Sequence, residues 1–392
     1  VIARIVDRSG FAGLCRNFPT ISLYDDNVAK LKTYLKGLDA DNLPSGKLRD
    51  VLEIAYLLFM RGNDRDPAVA QKLSRRAEMP LSPKRDLSKA PLRIAVCVSG
   101  QLRGYKEAQK TWAALGLDQH DTDVFVHTWK ETGRKYPVPS HAYRCFSGRF
   151  LATYQDTLLR HATPQLEALF PTMYDLFRAE GVVTNEDLKQ VYNAKDVVIE
   201  DDTDTAFAKF SNPRKMYYKI QKCWDLVENA QTDYDLVVRI RPDKEIIARE
   251  TPVDWHAIYN QCVTEPVVLV DGGYILHWGA GLVLGDQFAI GTPDAMRAYS
   301  NAYKNTLNPL HRLQKYTANF RAHTNLAFSV YFAGLDVQRF SQIQFGTLLD
   351  AARLPPDLLL DRIKVDIANR EPAKMDLDWM AALTEDIAAK KS

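Results

Sequence analysis

The stretch Arg239-Ile240-Arg241-Pro242-Asp243 gathers the most chemical capacity in the chain. Two arginines alternate along one face of an apolar run, and Pro242 then denies that run a further ladder hydrogen bond. Asp243 therefore falls just past a strand end, where a carboxylate is suited to hold a divalent cation bridging two phosphates. Arg239 and Arg241 suit either of two tasks, orienting Asp243 or neutralising phosphate. The same residues would also serve as a purely structural ion-pair cluster.

Two other strand ends carry unusual polar residues. Ser99-Gly100-Gln101-Leu102-Arg103-Gly104 closes the apolar run LRIAVCVS. Gly100 and Gly104 let the backbone approach a ligand, while Ser99, Gln101 and Arg103 can donate to phosphate or to a base. No G-K-[ST] comes after it and no G-x-G-x-x-G is present, so this is neither a Walker loop nor a dinucleotide fingerprint. His127-Thr128-Trp129 closes the run DVFVH. An imidazole and an indole there fit stacking on a base or bonding a sugar, and equally fit a packed Trp beside a hydrogen-bonded His.

The elements that must position these groups are legible as alternating patterns. Leu92–Ser99, Asp123–His127, Asp196–Glu200, Asp235–Ile240, Pro266–Val270, Phe288–Ile290 and Asp336–Phe340 read as strands. Lys106–Leu115, Arg214–Asn229, a helix from Asp294 and His323–Gly334 lie between them. Arg144 to about Val191 reads as a mostly helical insertion. Strand, helix, strand in sequence predicts an α/β fold with a mainly parallel, Rossmann-like sheet flanked by helices, and open sheets of that kind bind ligands at their carboxyl edge. Residues 1–78 read as a small helical region, with helices over Asn27–Leu38, Leu48–Gly62 and Asp66–Ala77. Residues 79–91, rich in proline and charge, read as a linker. That leaves 92–350 as the α/β domain and 351–392 as a helical tail packed on it.

Composition excludes several classes. The 392 residues carry 51 Lys and Arg against 49 Asp and Glu, a formal charge of only +2, so no basic footprint for nucleic acid is present. Five cysteines, with no C-x-x-C pair, indicate neither a disulfide framework nor a zinc ribbon. Cys97 and Cys223 lie in apolar patterns and read as buried thiols, which fits a cytoplasmic setting. The longest apolar run, Ile54 to Met60, is far short of the roughly 20 residues of a membrane span. Association at a membrane surface, and a protein partner for the N-terminal helices, stay open.

Taken together, the segments C-V-S-G-Q-L-R-G, D-V-F-V-H-T-W, Y-D-L-V-V-R-I-R-P-D and G-D-Q-F-A-I-G-T-P-D-A-M resemble a group of bacterial, viral and plant glycosyltransferase-like proteins with the GT-A fold. The resemblance covers roughly Leu92 to Phe345. It implies transfer of a sugar from a nucleotide-diphosphate donor to a glycan or glycolipid acceptor, with Mn²⁺ or Mg²⁺ as cofactor. Arg241-Pro242-Asp243 takes the place of the family's metal-binding D-x-D, with Arg where the first Asp belongs. The resemblance further implies Asp243 and Asp286 as catalytic carboxylates, Asp286 on the acceptor side or deprotonating the acceptor hydroxyl, although by its position alone Asp286 equally fits the cap of a turn. His323, which by its place at a helix start also reads as a capping or surface residue, becomes a candidate second metal ligand, and Ser99, Gly100, Gln101, Arg103, His127, Trp129, Arg239 and Arg241 form the donor site. His277-Trp278, in a Gly-rich loop suited to be a lid, would shape the sugar pocket. A non-catalytic scaffold that keeps the fold is the competing class. A nucleotidyltransferase is a third, though its usual Gly-rich, Lys-bearing first loop is missing.

Overall fold

The computed structural model describes residues 90–133, 135–273, 275–277, 281–315, 320–321, 323–348 and 354–391, together with Ala29, Lys30 and Thr33. Most of the N-terminal helical region and its linker lie outside the described residues. Ala29, Lys30 and Thr33 are helical, and the Thr33 hydroxyl donates to the Ala29 carbonyl at 3.0 Å.

Seven strands form one sheet: β1 (Arg93–Gly100), β2 (Asp121–Trp129), β3 (Ala194–Glu200), β4 (Leu236–Ile240), β5 (Val267–Val270), β6 (Phe288–Gly291) and β7 (Asp336–Arg339). Their spatial order is β7-β5-β6-β4-β1-β2-β3. Every pairing is parallel except those of β6, which runs antiparallel to both β4 and β5. All seven match runs expected from the sequence to within about two residues at each end. The reversed direction of β6 is not legible there, because a four-residue apolar strand carries no directional signal.

Helices lie on both faces, as an apolar parallel sheet requires. The principal ones are α1 (Tyr105–Thr111), α2 (Gly148–Leu158), α3 (Asn212–Asn229), α4 (Trp255–Thr264), α5 (Pro293–Ser300), α6 (Thr324–Phe332), α7 (Pro356–Ile367) and α8 (Lys374–Lys391). Strand alternation sorts the core into two halves. Ile94, Val96 and Val98 of β1 pack on the side of α4, and Ala95 and Cys97 on the side of α3, α5 and α6. α3 starts cleanly because the Ser211 hydroxyl accepts from the Arg214 amide and Pro213 sits in its first turn. It then presses Ile220, Cys223, Trp224 and Val227 onto the sheet. Cys223 donates its thiol to the carbonyls of Phe125 and Val98, so this cysteine is a buried packing residue.

The insertion after β2 is helical, as expected, but a short strand, Ala179–Val182, interrupts it and pairs with Glu131–Gly133. The C-terminal helices meet the α/β domain through this insertion. α7 and α8 do not pack on the sheet; they complete a separate core with the insertion, built from Phe146, Phe150, Tyr154, Phe170, Ile363 and Trp379. Two aspartates stitch these distant segments together at helix starts. Asp366 accepts from the amides of Thr172 and Met173, and Asp386 from those of Arg149 and Phe150. An amphipathic pattern shows that a helix has a buried face but does not say which partner buries it.

Trp379 is the keystone of this second core. It is fully buried, stacks on Phe170 at 4.5 Å, and donates its indole N–H to Thr157 at 2.9 Å. Trp379→Ala is expected to lower unfolding stability by about 3–5 kcal/mol, read by urea denaturation. A loss below about 1 kcal/mol would mean that the C-terminal helices contribute little to the fold.

Candidate functional site

The chain from β1 leaves through α1 toward β2, whereas the chain from β3 returns through α3 to place β4 on the other side of β1. The connections therefore diverge between the carboxyl ends of β1 and β4, which makes that edge the switch point of the sheet, the place where open α/β folds receive ligands. Its two lips are the segments that stand out in the sequence. Gly100 has φ +129°, a value open to glycine and strained for other residues. A Cβ there would meet Pro242 at 3.6 Å, an ordinary contact, so backbone conformation and not space demands the glycine. Gly104, at φ 57°, turns the chain into α1. On the facing lip, the Lys244 amide donates to the Arg241 carbonyl at 3.0 Å, closing a turn, while the Arg241 amide donates to the Gln287 carbonyl at 2.9 Å. That second bond anchors the turn to the segment leading into β6.

Three carboxylates and three cations interlock around these lips. Arg241 engages Asp243 through both Nε, at 2.7 Å, and Nη2, at 2.8 Å. Lys244 lies 3.5 Å from Asp271 and donates to Gln287 Oε1 at 2.8 Å. Arg239 is buried within β4, donates to the Ser99 carbonyl at 3.3 Å and lies 3.9 Å from Asp286. His323 approaches the other Asp286 oxygen at 3.5 Å. Asp271 and Lys244 are site residues that the motif reading misses. Asp271 carries a usable signal, since it directly succeeds the apolar run of β5 and so falls on the same carboxyl edge.

Burial divides the cluster into two layers. Asp243 and Asp286 are 0% and 1% exposed, and Arg239 is 2% exposed. Neither Asp286 oxygen has a hydrogen bond among the described residues, nor do Arg239 Nε and Nη1, Asp271 Oδ1, Tyr299 Oη or Ser99 Oγ. So many orphaned polar atoms at one strand edge are costly, and in native proteins they mark water or ligand sites. Arg241 and His323 reach outward, with side chains 18% and 45% exposed.

The cluster sets its own protonation states. Burial pushes the Asp286 carboxyl up, but Arg241, Arg239 and His323 outweigh it and hold the group below its ordinary value. Asp271 goes the other way: burial raises it, Asp286 adds to the rise, and Lys244 only partly offsets them. Burial also lowers the Lys244 ammonium, against the pull of Asp271.

The remaining candidates fall into place around this core. Ser99 is fully buried on the α3 side, and Gln101 donates to the Glu131 carbonyl at 2.8 Å. His127 and Trp129 do not join the charged cluster. His127 is buried against α3, where burial and the nearby Lys219 and Lys222 depress its imidazole to about 2. Trp129 is also buried, with the Lys219 ammonium 3.6 Å from its ring centre and Tyr218 stacked beside it. No face of that indole is left for a base, so its packed reading prevails over stacking on a ligand. Residue 278 and the side chain of His277 lie outside the described residues. The backbone of their loop forms a short hairpin, Ile275–His277 against Gly281–Val283.

The expected metal pair, Asp243 and His323, does not fit a resident divalent cation in this arrangement. Arg241 already clamps Asp243, His323 sits against Asp286 instead, and among the described residues no group of three or more His, Cys, Asp or Glu side chains is placed to hold a metal. A cavity of about 530 Å³ lined by His120, Pro252, Trp255 and His256 lies at the opposite edge of the sheet, near the start of β1 and β2, and none of the charged cluster lines it.

Fold and site thus define an α/β protein with a polar, charge-compensated cluster at the switch point of its sheet. No protein-family model matches the chain, and no curated protein matches it. Among the described residues, no helix is long and apolar enough to cross a membrane.

Because the Asp286 carboxyl is held below its ordinary value, its contribution to stability is present above the unfolded-state value near pH 4 and is lost as pH falls through the depressed one. Asp286→Asn, which strands buried Arg239, is expected to cost on the order of 3 kcal/mol at pH 7. That difference should shrink on acidification below about pH 4; a difference that stays constant down to pH 2 would show that the fold does not hold this carboxyl below its ordinary value. Asp243→Asn should cost about 1.5–3 kcal/mol in the same urea titrations, as a charged hydrogen-bond pair is lost. A variant as stable as the parent would instead mark Asp243 as an uncompensated carboxylate.

Proposed function

We propose that the chain is a glycosyltransferase of the GT-A kind, transferring a sugar from a nucleoside-diphosphate donor to a glycan acceptor. The observation that carries this reading is the meeting of two polar strand ends at the switch point of the sheet. A glycine-rich β1 lip and an arginine-bearing β4 lip face each other at the switch point, the position where doubly wound sheets receive nucleotides. Donor contacts come from the Gly100–Arg103 turn and from Arg241, the most exposed cation among Arg239, Arg241 and Lys244. A guanidinium suits a diphosphate because it forks onto two oxygens at once. As the sugar leaves, negative charge grows on the diphosphate, and fixed cations stabilise it without reorganising.

The residues of this edge supply that charge themselves, so no step of the reading depends on Mn²⁺ or Mg²⁺. The catalytic unit is residues 92–350, with the helices of 351–392 bracing its insertion. Cys97, Cys145, Cys223 and Cys262 are thiols rather than disulfide halves, which supports a reducing, cytoplasmic setting. The same compensated charges would also suit a scaffold that binds without catalysis, and transfer assays separate the two.

The test is a thermal-shift panel of nucleoside diphosphates and nucleotide sugars on the full chain, with EDTA or with Mn²⁺. A true donor at one hundred times its Kd should add about 2.7 kcal/mol of stability. Arg241→Gln should weaken that ligand by roughly tenfold or more, the loss of one charged contact of about 1.5–3 kcal/mol. If no member of the panel stabilises the protein, the transferase reading fails.

A further inference from the structure

The residue expected to take the acceptor proton, Asp286, is almost completely buried. A general base must come within hydrogen-bond reach of the hydroxyl it deprotonates, and Asp286 cannot do so from beneath the edge. The geometry points to His323 as the group that does, with Asp286 acting behind it as a positioning carboxylate. This rests on the transferase reading and assigns the proton-accepting residue within it.

Three features carry the assignment. First, His323 Nδ1 lies 3.2 Å from the Leu284 carbonyl and 3.5 Å from Asp286 Oδ1. A carbonyl oxygen only accepts, so Nδ1 carries the proton, and Nε2 is left with its lone pair as the basic nitrogen. Second, Asp286 bridges inward and outward at once. Oδ2 faces the buried Arg239 guanidinium at 3.9 Å, and Oδ1 faces the half-exposed imidazole. A carboxylate behind an imidazole fixes its tautomer and steadies the imidazolium that forms on proton uptake. Third, the ring is held by a backbone few residues adopt. His323 has φ 67°, and its own carbonyl accepts from the Leu284 amide at 3.1 Å, so both sides of the residue are tied to the segment bearing Asp286. Non-glycine residues at positive φ are strained, and such strain concentrates at functional sites.

The resulting step balances without any further reagent. The acceptor oxygen forms a bond to the anomeric carbon as its proton passes to His323 Nε2. The bond from that carbon to the donor phosphate breaks, and the nucleoside diphosphate departs with the electron pair beside Arg241. The imidazolium returns its proton to solvent through its exposed face. Attack from the side opposite the leaving group makes the transfer inverting.

Two experiments on the full chain test this. The first needs no substrate: long-range ¹H–¹⁵N correlation at pH 8 should show His323 with Nδ1 protonated and Nε2 bare. An Nε2–H tautomer would overturn the assignment. The second uses the donor and acceptor found by the nucleotide-sugar panel. His323→Asn and His323→Gly both tolerate the positive φ. Each should cut the transfer rate on the order of 10²–10⁴ while the donor Kd stays within about threefold. Added imidazole should restore part of the rate to His323→Gly, and the product should carry the inverted anomer. A variant at full rate, or a rate loss that imidazole does not touch and that accompanies a rise in donor Kd, overturns the role of His323 and leaves the transferase reading standing. Failure of every nucleotide to bind the wild-type chain removes that reading, and the base role with it.

Discussion

A guanidinium set inside the middle strand of a seven-stranded sheet has to be compensated by whatever surrounds it, and Arg239 imposes that demand on the whole carboxyl edge. Its register neighbours are Cys97 on β1 and Ala289 on β6, neither of which offers a charge. Compensation must therefore come from beyond the strand ends. The Ser99 carbonyl supplies one acceptor and Asp286 the counter-charge. An uncompensated buried charge costs several kcal/mol, so the segment carrying Asp286 has little freedom to move from its place beside β4. The antiparallel direction of β6 meets the same need, since a strand that starts at the carboxyl edge delivers its preceding residue there.

Once Asp286 is fixed, the neighbouring pairs are fixed with it. The Gln287 carbonyl holds the Arg241 amide and its side chain holds Lys244, so the residue after Asp286 locks both outer cations. Each cation then has one carboxylate: Asp243 for Arg241, Asp271 for Lys244, Asp286 for Arg239. The local charge is close to neutral apart from the imidazole. Such an arrangement is costly to bury but rigid, and rigidity is what preorganised electrostatics requires.

Much of this is legible in the sequence because strand ends are. The three polar strand ends stand out as the residues that terminate each apolar run, and Arg239, Arg241 and Asp243 stand where that logic implies, whereas Asp286 joins them only because β6 runs antiparallel. Depth and face are hidden. Alternation along β1 and β2 turns Ser99 and His127 toward α3, together with Cys97 and Phe125. His127 thus ends under a helix, and Trp129 is covered by Lys219, although both stand at the correct edge. Lys219 itself is fully buried and bonded to Glu200 and the Thr128 carbonyl, with its ammonium lowered to about 8 chiefly by burial. A lysine in the apolar face of α3 gives no hint of that partner. Likewise, the helical period of α7 and α8 marks a buried face but not that the insertion covers it.

On the proposed reading, the layering sets the carboxylates that look catalytic in sequence behind the groups that meet a ligand. Asp243 and Asp286 lie beneath, each spent on holding one outward group: Asp243 steadies the Arg241 guanidinium, and Asp286 steadies the His323 ring. An exposed arginine discriminates poorly among passing anions unless its orientation is fixed, and an exposed histidine is a poor base unless its tautomer is. A buried carboxylate can impose both, because in a low-dielectric layer its field is weakly screened. On the proposed reading, the inner carboxylates therefore set geometry, while the outer cation and imidazole meet the diphosphate and the acceptor. If the chain is of the GT-A kind proposed, this division also accounts for the Arg that stands where that family has the first Asp of D-x-D. With a guanidinium in place of the first carboxylate, the lip carries its own positive charge, and the remaining aspartate serves to aim it.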